Sequence, residues 1–251
     1  MFSLTKWTRA RFQRAAPARI PRIIHQTWKT EQIPYDVFDR RWVESWTRCH
    51  PDWLYVLWTD RRLRELARAC YPAYDTICGE DVPGIFLADF GRYMVLHRFG
   101  GLYVDLDYEC LKNLEPLLMG HRFVTSYSDD TRTELNNALI ATVPGHPLLL
   151  RYMDACQSRW LARISERPVA EVVEHEGPGP ITGPVMVTEV TDQFLKAGGE
   201  AVMVHDSRLL CPIDWRKGLS IHRRTLPAEL IARVPEDYPA AYAATYWTHV
   251  R

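Results

Sequence analysis

Apolar and polar positions along this chain switch between a two-residue and a 3.6-residue period, and the switches lay out a β-α-β-α series. Residues 22–28, Arg-Ile-Ile-His-Gln-Thr-Trp after Pro21, are β-branched and apolar and predict a first strand. Residues 37–49 carry Phe38, Trp42, Val43 and Trp46 at helical spacing. That helix stops at His50-Pro51, because a residue before proline is pushed out of the helical region. Residues 53–58 predict a second strand, and Thr59 or Asp60 caps a helix running towards Cys70. A third helix is expected over residues 83–98, with Pro83 in its first turn and Gly100-Gly101 ending it. Residues 102–106 then form a strand.

Further strands are expected over residues 123–127, 135–142 and 201–204, and helices over residues 147–164 and from Thr182-Gly183-Pro184 to near Gly198-Gly199. Residues 167–180, rich in acid, proline and glycine, predict a loop or lid, and the proline-punctuated remainder after residue 204 predicts irregular structure. The alternation argues for one α/β domain with a mostly parallel sheet flanked by helices, over residues 20–251.

Composition narrows the function classes. The 251 residues include 31 basic and 31 acidic ones, so the net charge is zero and no global field for nucleic acid is implied. Six cysteines show neither a C-x-x-C pair nor zinc-type spacing, and residues 1–20 lack the apolar core of a secretory signal. A reduced, cytoplasmic setting is therefore expected. No apolar run reaches the ~20 residues that span a bilayer. Residues 1–22 carry Lys6, Arg9, Arg11, Arg14, Arg19 and Arg22 with no acid, interspersed with Phe2, Leu4, Trp7 and Phe12. This tail, residues 1–19 in the domain division, reads either as a helix lying on an anionic membrane surface or as a solvated tail.

The chemistry concentrates in Gly100-Gly-Leu-Tyr-Val-Asp-Leu-Asp-Tyr-Glu109. Asp105 and Asp107, two apart at the end of the strand, share a face if the strand continues through them, so both carboxylates would approach one point. Mg²⁺ and its like are held by one or two carboxylates together with substrate phosphates, and ligands of open α/β sheets sit beyond the carboxyl ends of strands. On the preceding helix Asp89 and Arg92 stand at i and i+3, which makes either a modest ion pair or an acid and a guanidinium for a charged, hydroxylated donor. His25 reads as a core histidine, Asp129-Asp130 as loop surface open to an acceptor-side role, and His205-Asp206 as structural. There is no nucleophile-elbow serine and no phosphate-binding loop of the Walker type.

The order Ile-His-Gln-Thr-Trp, Leu-Trp-Thr-Asp, Ala-Asp-Phe-Gly-Arg-Tyr, Phe-Gly-Gly-Leu-Tyr-Val-Asp-Leu-Asp-Tyr-Glu-Cys-Leu resembles the DXD-containing glycosyltransferases, family 32 above all. That family includes yeast initiating mannosyltransferases and bacterial capsule and exopolysaccharide transferases; the large clostridial glucosylating toxins are more distant. The resemblance is strong over residues 20–118; Asn136-Asn137, Pro144-Gly145-His146-Pro147 and Thr182-Gly183-Pro184 extend it with less specificity. It implies a GT-A-like, Rossmann-related fold and transfer of a sugar from a UDP- or GDP-linked donor with Mn²⁺ or Mg²⁺. The acceptor would be a saccharide or lipid-linked glycan, as in surface polysaccharide or glycolipid synthesis, and the anomeric configuration would be retained.

By the same resemblance Asp105 contacts ribose and metal, Asp107 ligates the metal, and Asp89 and Arg92 contact the donor sugar. Tyr103 positions the nucleotide and Trp28 stacks on the base, while either Asn136 or Asn137 binds the sugar. Relatives close the site with a late His and a Ser-x-Trp element. Here Thr245-Tyr-Trp-Thr-His-Val-Arg251 departs from that pattern, with Trp247, Thr248 and, at the metal or diphosphate, His249 in the matching places. A protein-glycosylating effector and a non-catalytic sugar- or nucleotide-binding module are the alternatives; the intact set of Asp89, Arg92, Asp105 and Asp107 argues against the module.

Overall fold

Helices and strands alternate through the amino-terminal half of the computed structural model, which describes residues 19–213 and 228–248, with backbone only over 228–231. Strand β1 (Ile23–Trp28) leads to α1 (Arg40–Cys49), β2 (Leu54–Thr59) and α2 (Asp60–Cys70). A 3₁₀ turn over Pro72–Cys78 precedes α3 (Gly84–Phe99) and β3 (Gly101–Val104). Then come β4 (Tyr108–Cys110), α4 (Glu115–Leu118), β5 (Phe123–Ser126), β6 (Leu139–Thr142), α5 (Pro147–Glu166) and α6 (Val169–His175). The last elements are α7 (Pro184–Lys196), β7 (Met203–His205), α8 (Ser207–Leu210), α9 (Ala228–Asp237) and β8 (Ala243–Thr245).

The main sheet has the order β2-β1-β3-β6-β5-β7. Strands β2, β1, β3, β5 and β7 run one way and β6 alone is reversed, pairing antiparallel with both β3 and β5. The largest apolar cluster joins α2, α3, α5 and α7 around Phe86, Phe90, Tyr93, Tyr152 and Trp160. A second gathers Trp46, Leu102, Val104, Tyr108 and Leu139 on the opposite face. Alternate residues of β3 divide between the two, Tyr103 with the first and Leu102 and Val104 with the second, as the pleat requires. Helix α3 does not separate apolar from polar faces and is buried over most of its length, Asp89 and Arg92 included.

The corner from α3 to β3 needs glycine. Gly100 has φ +63° and Gly101 φ +96°, and a Cβ on Gly101 would stand 2.5 Å from the Ile23 carbonyl oxygen. His25 clamps this corner: its Nε2 donates to the Gly100 carbonyl at 2.8 Å, while Nδ1 accepts from Trp58 Nε1 at 3.0 Å. It is a hydrogen-bonded core histidine.

Several expectations change. Pro83 is the N-cap of α3 and lies outside the helix. The segment 167–180, expected as a loop or lid, contains α6, whose Val172 is buried against the main cluster. The carboxyl-terminal part, expected to be irregular, holds α8, α9 and β8, and β8 pairs antiparallel with β4 in a second small sheet. Only residues 139–142 of the long strand expected over 135–142 join the sheet, with Leu135 bridging Tyr127. Among the described residues no helix is long and apolar enough to cross a membrane, and the six cysteines are unpaired. Residues 1–18, the bulk of the basic tail, lie outside the described residues.

Candidate active site

Strand β3 ends at Val104, so Asp105 and Asp107 stand just beyond it, and the shared strand face expected for them is replaced by a turn. The turn closes through the Tyr108 amide, which donates to the Asp105 carbonyl at 3.2 Å. The two carboxylates are thus presented at the carboxyl edge of β3, where open α/β sheets bind ligands.

Asp89 and Arg92 come to this point from α3. The Arg92 Nη2 lies 2.7 Å from Asp89 Oδ1 and 3.3 Å from Asp105 Oδ1, and Nη1 donates to the Asn137 carbonyl at 2.7 Å. The guanidinium also lies 4.7 Å from the centre of the Tyr103 ring. Both members of the Asp89–Arg92 pair are buried, so the helical ion pair expected of i, i+3 spacing is here the centre of a desolvated network. Asp89 is held on both oxygens: Asn137 Nδ2 donates to Oδ1 at 3.1 Å and Thr182 Oγ1 to Oδ2 at 2.8 Å. Burial pushes the Asp89 carboxyl up, opposed by Arg92 and by these two donors, while the Arg92 guanidinium is held charged by Asp105, Tyr103 and Asp89 against its own desolvation.

Tyr103, in β3, donates its hydroxyl to Asp105 Oδ1 at 2.7 Å and stands 2.8 Å from Thr27 Oγ1. Gln26 Nε2 donates to the Asp105 backbone carbonyl at 3.2 Å, while its Oε1 accepts from the Tyr55 hydroxyl at 2.8 Å. Asp105 is therefore oriented from β1, β3 and α3 at once.

Asp107 is fixed by a different part of the chain. The Thr248 amide donates to Asp107 Oδ2 at 2.8 Å and its hydroxyl lies 3.3 Å from the same atom; the Tyr246 amide donates to the Asp107 carbonyl at 3.0 Å. The β4–β8 pairing, Tyr108 opposite Thr245, brings these residues together. Burial and the negative charge of Asp105 push the Asp107 carboxyl up to about 7. Trp247, between them, has φ +54°, the left-handed region, and donates its indole N–H to the Ile213 carbonyl at 2.6 Å. His249 lies outside the described residues.

The oxygen set fits a hard divalent cation. Asp105 Oδ2 and Asp107 Oδ1 accept no hydrogen bond from another described residue, and the Arg92 guanidinium is shared between Asp89 and Asp105, leaving Asp107 without an ion pair among the described residues. Among the described residues no three His, Cys, Asp or Glu side chains gather as a cage, so such an ion would take its remaining ligands from substrate and water.

The other expected residues separate. Of the two asparagines, Asn137 touches Asp89, whereas Asn136 turns to the Tyr108 hydroxyl and caps the Ala138 amide at 2.8 Å. Trp28 ends β1 half-buried, with Phe38 edge-on at 5.2 Å and Lys29 5.6 Å from its ring centre. His205 hydrogen-bonds the Leu117 carbonyl, and Asp206 caps α8 and pairs with Arg132 and Arg208. Thr182, Gln26 and Thr27 complete the network without having been singled out as site residues. Thr182-Gly183-Pro184 was visible as a pattern, but nothing local announces that its hydroxyl meets Asp89.

Residues 38–124 match the model of a family described as "Glycosyltransferase sugar-binding region containing DXD motif". The chain is 40% identical to "Inositol phosphoceramide mannosyltransferase 3" of Schizosaccharomyces pombe over 137 residues, 53% of this chain and 36% of that protein. It is 38% identical to "Mannosyl phosphorylinositol ceramide synthase CSH1" of Saccharomyces cerevisiae over 212 residues, 82% of this chain and 51% of the relative. The matches thus span about half or less of the relatives' length. Among solved structures, the "PaToxG Glycosyltransferase" shares the fold, with a TM-score of 0.51, 17% identity and coverage of 72% of each chain.

Proposed function

We propose, from the membership of this chain in the DXD-containing glycosyltransferase family, that it transfers a sugar from a nucleotide-sugar donor to a glycolipid acceptor with retained anomeric configuration and with Mn²⁺ or Mg²⁺. The observation that carries this reading is the convergence of Asp89, Arg92, Tyr103 and Asp105 in one hydrogen-bonded network, with Asp107 beside it at the carboxyl edge of β3. Similarity to proteins named for inositol phosphoceramide and mannose supports a phosphorylated glycolipid as acceptor and mannose as the sugar.

Asp105 and Asp107 would hold the cation through Asp105 Oδ2 and Asp107 Oδ1, and the bound ion would stabilise the negative charge of the departing diphosphate. Arg92 pairs with Asp105 and aims its carboxylate. Asp89, acceptor-only and braced by Asn137 and Thr182, suits the hydroxyls of the donor sugar. Trp28 offers a ring for the base.

By the family resemblance, the acceptor hydroxyl would attack the anomeric carbon on the face the diphosphate leaves. The carbon–oxygen bond to phosphate breaks, and the hydroxyl proton passes to the leaving phosphate oxygen. Work at the cytoplasmic face of a membrane, with the basic segment 1–19 on anionic lipid, belongs to the same reading.

The test is a panel of UDP- and GDP-linked sugars with Mn²⁺, with and without a phosphoinositol ceramide acceptor. Release of the nucleoside diphosphate and a lipid product of added sugar mass are expected. Absence of both turnover and donor-induced thermal stabilisation across the panel would overturn the assignment.

A further inference from the structure

A second set of charged groups lies at the same edge of the sheet and takes no part in the network around Asp105. Lys29, just past β1, and Asp60, Arg61, Arg64 and Arg68 of α2 line a cavity of about 290 Å³ that Glu80 completes from the segment before α3. Asp60, Arg64 and Arg68 follow one another at i, i+4, i+8, so α2 presents them as a single stripe.

The cations of this stripe are incompletely compensated. The Arg64 side chain is 13% exposed; its Nη2 donates to the Gly79 carbonyl at 3.5 Å, while its buried Nε makes no hydrogen bond with another described residue. Its ion-pair contact among the described residues is Glu80 at 3.5 Å, and Glu80, itself 72% exposed, is shared with Arg68 at 3.1 Å. An exposed surface carboxylate is a weak counterion for a desolvated guanidinium. Arg61 turns to Glu65 at 2.8 Å. Lys29 has no ion pair among the described residues.

Asp60 supplies the opposite need. Its carboxylate is half-buried and forms no hydrogen bond or close ion pair with another described residue; burial pushes its pKa up, opposed by the nearby charges of Arg64 and Lys29. Ionised, it accepts hydrogen bonds and repels a bare anion. A ligand that satisfies both ends brings phosphate oxygens to Arg64 and Arg68 and hydroxyl donors to Asp60.

We infer that this cavity binds a polyol phosphate, with the phosphate on Arg64, Arg68 and Lys29 and a hydroxyl on Asp60, as a site separate from the Asp105–Asp107 centre. The choice of inositol as the polyol to test rests on the acceptor reading above. The chemistry is common to a soluble polyol phosphate and to a lipid headgroup, and the experiment separates the two sources.

Binding of myo-inositol 1-phosphate and of inorganic phosphate is measured calorimetrically on the full chain without nucleotide sugar or metal, so failure of the transfer assay leaves this result untouched. Inositol phosphate should bind the more tightly. Arg64→Gln and Arg68→Gln should each weaken both ligands by about tenfold. Arg68 is exposed, so the second variant keeps the test valid if the first misfolds. Asp60→Asn should weaken inositol phosphate and strengthen inorganic phosphate, a reversal that a general loss of structure cannot produce.

Co-sedimentation with phosphatidylcholine vesicles doped equally with phosphatidylinositol or phosphatidylglycerol assigns the source. Preference for phosphatidylinositol, lost in Arg68→Gln, identifies a headgroup; binding of the free phosphate alone identifies a soluble ligand. Equal retention on both anionic lipids, an Arg68→Gln protein that binds like wild type, or an unchanged preference in Asp60→Asn would overturn the inference.

Discussion

The backbone amide of Thr248 donates to Asp107 Oδ2 at 2.8 Å, joining residues 141 positions apart. One carboxylate of the pair is therefore oriented by β3 and α3, and the other by the carboxyl-terminal segment that β4 and β8 bring back.

Asp107→Ala should lower Mn²⁺-dependent donor turnover by on the order of 10²–10³-fold, the usual cost of removing one electrostatic group from such a site. The variant should still unfold cooperatively, because Asp107 is half-buried and its carboxylate is held by Thr248 alone among the described residues, outside the apolar packing. Steady-state rates with and without EDTA decide this. Undiminished turnover in the variant, or in chelator, would remove the metal from the reading.

Arg92→Met should destabilise the fold by about 3–5 kcal/mol, since it leaves Asp89 buried without its countercharge. Urea unfolding measures this directly. A loss under 1 kcal/mol would mean that Thr182 and Asn137 suffice to hold the carboxylate.

The α3–β3 corner yields a paired comparison. Gly101→Ala must place a Cβ 2.5 Å from the Ile23 carbonyl at φ +96°, whereas at Gly120, φ +82°, nothing lies within 4 Å. Gly120→Ala should cost about 1–2 kcal/mol from the left-handed backbone alone. Gly101→Ala should cost clearly more, because β1 and β3 must separate. Equal melting temperatures for the two variants would refute the close approach.

Stability should fall on acidification below neutrality because of His25. Burial holds its pKa at about 4, against 6.5 for the free side chain, so the unfolded chain takes up the proton first. Its contribution is complete above pH ~6.5 and declines by up to about 3 kcal/mol as the pH falls towards 4. Protonated Nδ1 could no longer accept from Trp58. His146, also held at about 4 by burial, acts in the same sense. Urea midpoints between pH 7 and 4 should slope less steeply for His25→Gln; an unchanged slope would place the effect elsewhere.

Trp28→Ala should weaken nucleotide binding by roughly 1–3 kcal/mol if the ring carries a base. Calorimetry with the free nucleoside diphosphate reads this separately from the sugar. Unaltered affinity would return Trp28 to packing against Phe38.

Much of this was legible along the chain. Strands β1 to β3 and helices α1 to α3 follow from short-range periodicity, proline and glycine, and residues of one such element meet their neighbours by fixed geometry. Asp89 with Arg92, and Asp105 near Asp107, were identifiable for that reason. Even so, the chain turns after Val104, and only the Tyr108–Asp105 hydrogen bond shows it. Helix α6 was hidden because its seven residues lie between prolines and glycines.

What the sequence determined by itself was the set of chemical groups and the local elements that carry them. Tertiary structure decided which groups meet. It chose Asn137 over Asn136 for Asp89, added Thr182 from the start of α7, and brought Thr248 to Asp107 through β8. Periodicity reports which face of an element is apolar, and it carries no record of which distant hydrogen-bond donor that burial will press against a carboxylate. That choice is made by strand register and by the need to satisfy every buried charge, both properties of the assembled fold.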